Sequence, residues 1–194
     1  VRIENSSTMN TVKLTISAWV NPTTLNTDFS QILTKWDNGL KTYSYALTIN
    51  QYREISFWLR IGSGNRVEES NVLIPLNTFT HIAATYDGMD SRLYINGTEV
   101  GTHFYSANHQ ATGNVNTSTA ITGLGAQYGS YQANTPDRFF HGIIDDVRLY
   151  DGALNFSEIQ SLYINVPEMS SLLLLFLGLG TAFIVRKYCI VGFV

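Results

Sequence analysis

From residue 14 onward apolar and polar side chains alternate along short runs, and a glycine or asparagine breaks each run. A period of two sends successive side chains to opposite faces of a β-strand. Leu14, Ile16, Ala18 and Val20 therefore share one face, opposite Thr15, Ser17, Trp19 and Asn21. Tyr43, Tyr45, Leu47 and Ile49 form a second apolar row, Ile55, Phe57, Leu59 and Ile61 a third, and Ile82, Ala84 and Tyr86 a fourth. Each such strand offers one face to a core. Turns are expected at Asp37-Asn38-Gly39, Gly62-Ser63-Gly64, Asp87-Gly88 and Asn96-Gly97, where Gly or Asn takes positive φ at little cost. No helical periodicity precedes residue 155. The pattern predicts an all-β fold, a two-sheet antiparallel sandwich of the jelly-roll kind. One short helix closes it, with Asn155 as N-cap, Glu158 three residues on, and Ile159, Leu162 and Tyr163 as its apolar residues.

Composition narrows the function classes. With 44% hydrophobic and 14% charged residues the chain can bury a core, which excludes disorder. Lysine occurs only four times and the net charge is −3, so phosphate meets no basic surface and nucleic-acid binding is excluded. Cys189 is the single cysteine and stands near the end. The sandwich must hold by packing alone, without an internal disulfide.

The polar character stops at about residue 166. Met169 to Val185 is a run of seventeen uncharged residues, followed by Arg186 and Lys187. As a helix it would span roughly 25 Å, close to the hydrocarbon thickness of a bilayer. Leu172 to Leu175 with Phe176 and Leu177 leave no polar stripe, so a transmembrane helix is the expectation. The basic end would lie in the cytoplasm and the sandwich outside it. The expected organisation is a domain over 1–163, a linker over 164–168, a membrane helix over 169–187 and a short apolar tail over 188–194. No secretion signal opens the sequence at Val1, so export is inferred from the tail.

Several stretches resemble a known family. Leu14 to Pro22, Ile32 to Lys35, Tyr45 to Leu47, Phe79 to Gly88, Leu93 to Gly97 and Phe140 to Tyr150 are similar, in order and spacing, to laminin G-like, concanavalin A-like jelly-roll modules of bacterial surface proteins. The resemblance implies a curved two-sheet sandwich and adhesion or carbohydrate binding, sometimes with calcium, and it does not imply catalysis. In the tail, Val166-Pro167-Glu168, the apolar run and Arg186-Lys187 resemble the PEP-CTERM sorting signal of Gram-negative bacteria. That resemblance implies processing by an exosortase-type membrane protease and a cell-envelope or extracellular location. Met169 departs from the family's usual second Pro, and Tyr188 to Val194 extends past the basic pair.

Retaining glycosidases need two carboxylates about 5 to 5.5 Å apart, which calls for alternating acids on one strand face. Glu68-Glu69 and Asp145-Asp146 are adjacent instead, and a regular strand sends such pairs to opposite faces. His81, His103, His109 and His141 show no ligand spacing, and no Gly-x-Ser-x-Gly elbow occurs. A non-catalytic module is expected, with a hydrolase as the weaker reading. Asp145 falls in a row with Ile143, Val147 and Leu149. A carboxylate there would need backbone donors, a cation or calcium to offset its burial. Sugar rings call for an aromatic plane flanked by amides and carboxylates. Trp36, Asp37 and Asn38, with Tyr128, Tyr131 and Asn134 in a second loop, are the candidate glycan ligands, whereas Trp19 and Trp58 are expected to pack. The reading is a surface glycan-recognition or adhesion module, with an inert matrix component as the alternative.

Overall fold

The computed structural model describes residues 1–25, 28–129 and 136–164. Tyr131 and Asn134 of the second loop, and Val166, Pro167, Glu168, Arg186 and Lys187 of the tail, lie outside the described residues. The strands run β1 (Arg2–Ile3), β2 (Leu14–Thr24), β3 (Phe29–Asp37), β4 (Thr42–Asn50), β5 (Glu54–Ile61), β6 (Gly64–Leu73), β7 (Thr80–Tyr86), β8 (Ser91–Ile95), β9 (Thr98–Val100), β10 (Thr102–Phe104), β11 (Thr122–Leu124) and β12 (His141–Asp151). Helix α1 (Phe156–Ile164) follows. Two antiparallel sheets form, a seven-stranded one in the order β1-β11-β3-β4-β5-β6-β10 and a five-stranded one in the order β12-β2-β7-β8-β9. The expected sandwich and its closing helix are both present. Among the described residues no helix is long and apolar enough to cross a membrane.

The alternating rows meet between the sheets. Leu14, Ile16, Ala18 and Val20 of β2 are fully buried, as are Tyr45, Leu47 and Ile49 of β4, Ile55 and Leu59 of β5, and Ile82, Ala84 and Tyr86 of β7. Burial of this kind stabilises by about 1.5–3 kcal/mol per large side chain, which explains how the fold stands without a cross-link. The turns behave as read. Asn96 and Gly97 take φ of 49° and 73°, the two positive values that a tight β8–β9 hairpin requires.

Three β-bulges redirect side chains that strict alternation places wrongly. In β3, Ile32 is the extra residue between Gln31, opposite Thr48, and Leu33, opposite Leu47, so Ile32 and Leu33 both turn inward. In β4 an extra residue lies between Tyr43, opposite Trp36, and Ala46, opposite Thr34, which moves Tyr43 out of its expected core row and onto Trp36. In β12 the register slips between Asp145, opposite Trp19, and Arg148, opposite Ser17, and Asp146 takes a φ of 46°. Ile144, Val147 and Leu149 therefore join the core. Asp145 is exposed and, among the described residues, accepts the Asp146 N–H at 2.8 Å and no other hydrogen bond. Its expected burial is thereby corrected, and with it the reason for placing calcium there.

Charged groups do lie inside. Arg66 and Glu68 of β6 point between the sheets with side chains 8% and 5% exposed, paired at 2.6 Å. Arg66 also donates to Ser91 Oγ at 2.7 Å and lies over the Tyr86 and Phe104 rings, and Thr102 Oγ1 donates to Glu68. Lys35 of β3 is fully buried as well, donating to Asn5 Oδ1 at 2.6 Å and to the Ala120 carbonyl at 2.9 Å. Among the described residues it has no ion-pair partner, and burial pushes its ammonium down to about 8.

Candidate glycan-binding groove

The outer faces of the two sheets differ in what covers them. On the five-stranded sheet α1 begins with a reciprocal cap: Glu158 N–H donates to Asn155 Oδ1 at 3.1 Å, and Asn155 N–H donates to Glu158 Oε2 at 2.7 Å. The helix lays Ile159, fully buried, against Ala83 and Tyr94. Tyr163 stacks on Trp19 at 5.7 Å, with His81 5.4 Å from the same indole. Gly97 makes this seat possible, because a Cβ there would lie 3.1 Å from the Tyr163 side chain. Trp19 is a packing residue, as its sequence context suggested.

The seven-stranded sheet keeps an open groove. The polar row of β5, Glu54, Ser56, Trp58 and Arg60, faces outward, opposite the core row Ile55, Phe57, Leu59 and Ile61. Trp58 stands edge-on to Phe29 at 5.3 Å and to Trp36 at 6.1 Å, and Tyr105 flanks it at 5.5 Å. The Phe29, Trp36 and Trp58 rings wall a cavity of about 250 Å³ whose polar lining comes from Gln31, Asn38, Thr48, Gln127 and Arg138. Within this lining Trp58 Nε1, Gln31 Oε1 and Gln127 Nε2 are buried without a hydrogen-bond partner among the described residues. Buried polar atoms are normally paired, so each of these retains unused hydrogen-bonding capacity.

Arg138 fixes one wall. Its carbonyl accepts the Gln31 N–H at 3.1 Å, its guanidinium meets Asp28 at 2.8 Å and Gln127 Oε1 at 3.2 Å, and it lies 5.9 Å from the Phe29 ring centre. Arg138 holds a φ of 51°, a costly conformation for a side-chain-bearing residue that persists only where surrounding contacts impose it. The opposite turn is set by Asp37, whose carboxylate accepts the Leu40 N–H at 2.8 Å. Gly129 packs against that carboxylate with a φ of 77°, and its N-terminal neighbour Tyr128 lies against Gly123 of β11.

Of the residues expected to bind glycan, Trp36 and Asn38 line the groove. Asp37 is 6% exposed and is used up in its turn. Tyr128 sits beside the groove residue Gln127 without lining the cavity itself. Trp58, expected to pack, is instead the central ring, and Phe29, Gln31, Gln127 and Arg138 were not singled out. The sequence did carry a signal for Trp58, since Ser56 and Arg60 mark its row as the polar side of β5.

A second polar group lies farther along the same face. Asn50 Nδ2 donates to Glu54 Oε2 at 2.7 Å and to Glu69 Oε1 at 3.0 Å, and Ser56 Oγ donates to the same Glu69 oxygen at 2.5 Å. His103 Nε2 is 3.7 Å from Glu69 Oε2. Cross-strand pairing brings these residues together, which sequence spacing could not show.

The family follows from the match of residues 1–160 to the Laminin_G_3 model, described as the concanavalin A-like lectin/glucanases superfamily. The chain belongs to this family. No curated protein matches the sequence. Among solved structures, this Laminin_G_3 chain is similar to domain 4 of AbnA, a GH43 extracellular arabinanase from Geobacillus stearothermophilus, in complex with arabinotriose. That likeness has a TM-score of 0.55 at 24% identity and covers 79% of this chain and 68% of the other. It is also similar to the Ruminococcus gnavus IT-sialidase CBM40 bound to alpha2,3 sialyllactose, with a TM-score of 0.62 at 16% identity, covering 79% and 84%. A Trypanosoma rangeli sialidase aligns with a TM-score of 0.54 at 20% identity, covering 78% of this chain and 22% of that one. At these identities the likeness establishes the jelly-roll fold, on which binding modules and enzymes both occur.

Proposed function

We propose that this domain is a non-catalytic carbohydrate-binding module whose site is the Trp36–Trp58 groove. The observation that carries the reading is the combination of indole faces with partnerless buried amides. An apolar plane suits the ring face of a sugar, and Gln31 Oε1 and Gln127 Nε2 supply an acceptor and a donor for its hydroxyls. Similar folds solved with arabinotriose and sialyllactose support the ligand class. The absence of catalysis in this reading rests on Asn50. Its amide nitrogen bridges Glu54 and Glu69, so a single donor occupies the space where a reacting sugar carbon would have to stand between two carboxylates.

The tail reading completes the proposal. Residues 166–187 direct the module to the cell envelope of a Gram-negative bacterium, and an exosortase-type protease acts at the Val166-Pro167-Glu168 motif. Affinity electrophoresis of the domain over immobilised polysaccharides tests the groove. Retardation by at least one glycan, reduced about tenfold or more in affinity by Trp58→Ala and by Trp36→Ala, is the expected result. Retardation unchanged by both substitutions refutes the groove as the site.

A further inference from the structure

The aromatic groove does not end at Trp58. Arg60 lies two residues farther along β5 on the same side, a step of about 6.6 Å and comparable to a monosaccharide. Its guanidinium lies 5.7 Å from the centre of the Tyr43 ring, and that ring packs at 4.8 Å on Trp36 of the groove. Beyond Tyr43 opens a second hollow of about 460 Å³, lined by Lys41, Arg60, Asn116 and the exposed Thr117 and Thr119 among others. The tilted Trp36–Tyr43 ring pair thus stands between the two hollows, one ring lining each.

The charge of the second hollow is one-sided. Among the described residues Lys41 and Arg60 are its charged residues, and no carboxylate lines it. Among the described residues neither forms an ion pair; the Arg60 guanidinium donates to the neutral Asn65 Oδ1 at 3.0 Å. Arg138, the cation of the aromatic groove, is by contrast already paired with Asp28. Asp37, opposite Thr42 in the ladder, turns its carboxylate onto the Leu40 N–H and Gly129. Residues 130–135 contain no acid either. At the far end of the same face stand Glu54 and Glu69. The sheet therefore presents basic, aromatic and acidic zones in sequence.

On the glycan-binding reading above, we infer that the ligand is an acidic polysaccharide. One sugar ring sits at Trp36 and Trp58, and the carboxylate or sulfate of a neighbouring unit sits between Lys41 and Arg60. The exposed Thr117 and Thr119 flank the anion, and repulsion by Glu54 and Glu69 keeps the chain from running the other way. Two cations without an internal counter-ion, sharing one hollow, repel each other, and an anionic ligand relieves that repulsion.

The test is isothermal titration calorimetry with polygalacturonate, its methyl-esterified form, a sulfated galactan and the neutral galactan. The expected result is at least about tenfold tighter binding of a charged polymer than of its neutral counterpart. That preference should shrink as NaCl rises from about 50 to about 500 mM. Lys41→Gln, which changes an exposed side chain, and Arg60→Gln should each remove several-fold of the preference, and the double variant should bind charged and neutral polymers alike. The two anionic polymers distinguish carboxylate from sulfate. Equal binding of charged and neutral polymers by the wild type, still lost in Trp58→Ala, overturns the inference and leaves the groove reading standing. Binding lost in Lys41→Gln and Arg60→Gln but unaffected by Trp58→Ala overturns the shared path. Binding of none of the four polymers overturns the inference, and the groove reading then stands or falls on the wider polysaccharide panel.

Discussion

Trp19 and Trp58 occupy equivalent places, each on the polar row of a strand whose other row is core, yet their surroundings are opposite. Trp19 lies under α1 with Tyr163 stacked on it, and Trp58 opens onto a cavity among partnerless amides. Alternation puts both indoles on an outer face, and a separate element then decides whether that face is sealed. An indole that no described element covers is open to a ligand.

Breaking the seal gives the largest expected effect. Ile159→Ala removes the fully buried anchor of α1 and should cost about 2–5 kcal/mol in urea denaturation while leaving glycan affinity unchanged. Trp58→Ala should do the reverse, with a small stability loss and a large affinity loss. Equal stability losses for the two variants would erase the distinction between a sealed and an open face.

Titration probes the sealed face more finely. Burial pushes the His81 imidazole down to about 4, a shift that Asp146 opposes and Arg148 reinforces. The unfolded chain binds a proton at pH 6.5 that the folded one refuses until about pH 4, so stability falls as pH drops across that interval and levels off below it. The loss should be on the order of 3 kcal/mol and should vanish in His81→Gln, as read from urea midpoints at successive pH values. On the open-faced sheet Lys35 acts at the other extreme. Its ammonium is pushed down to about 8, so the unfolded chain holds the extra proton and stability should rise between about pH 8 and 10.5. Lys35→Met should flatten that rise. The smallest effect is expected from Asp145→Asn, within about 0.5 kcal/mol of wild type with or without EDTA, because this carboxylate is exposed on the sealed side.

Much of the fold was legible because core burial follows alternation, and alternation is local. The rows through Ile16, Leu47, Phe57 and Ala84 face inward as read. What escaped was non-local. A bulge is defined by the partner strand, so nothing near Asp145 or Tyr43 announced that their rows would be broken. The groove was half legible for a related reason. Trp36 and Asn38 stood out in a turn, whereas Gln31, Gln127 and Arg138 come from distant segments joined only by sheet order. Trp58 was readable in principle. Among the described residues one α-helix, the short amphipathic α1, packs on an outer face, and that face belongs to the five-stranded sheet.

The Arg66–Glu68 pair also bears on how the strands find their places. Because side chains alternate strictly, moving β6 by one position would bring Glu69 into the interior and carry both members of the pair outward. A lone carboxylate would then lie inside the sandwich without the guanidinium that now neutralises Glu68. The embedded charges thus act as a registration pin, penalising a misthreaded sheet more than they strengthen the correct one.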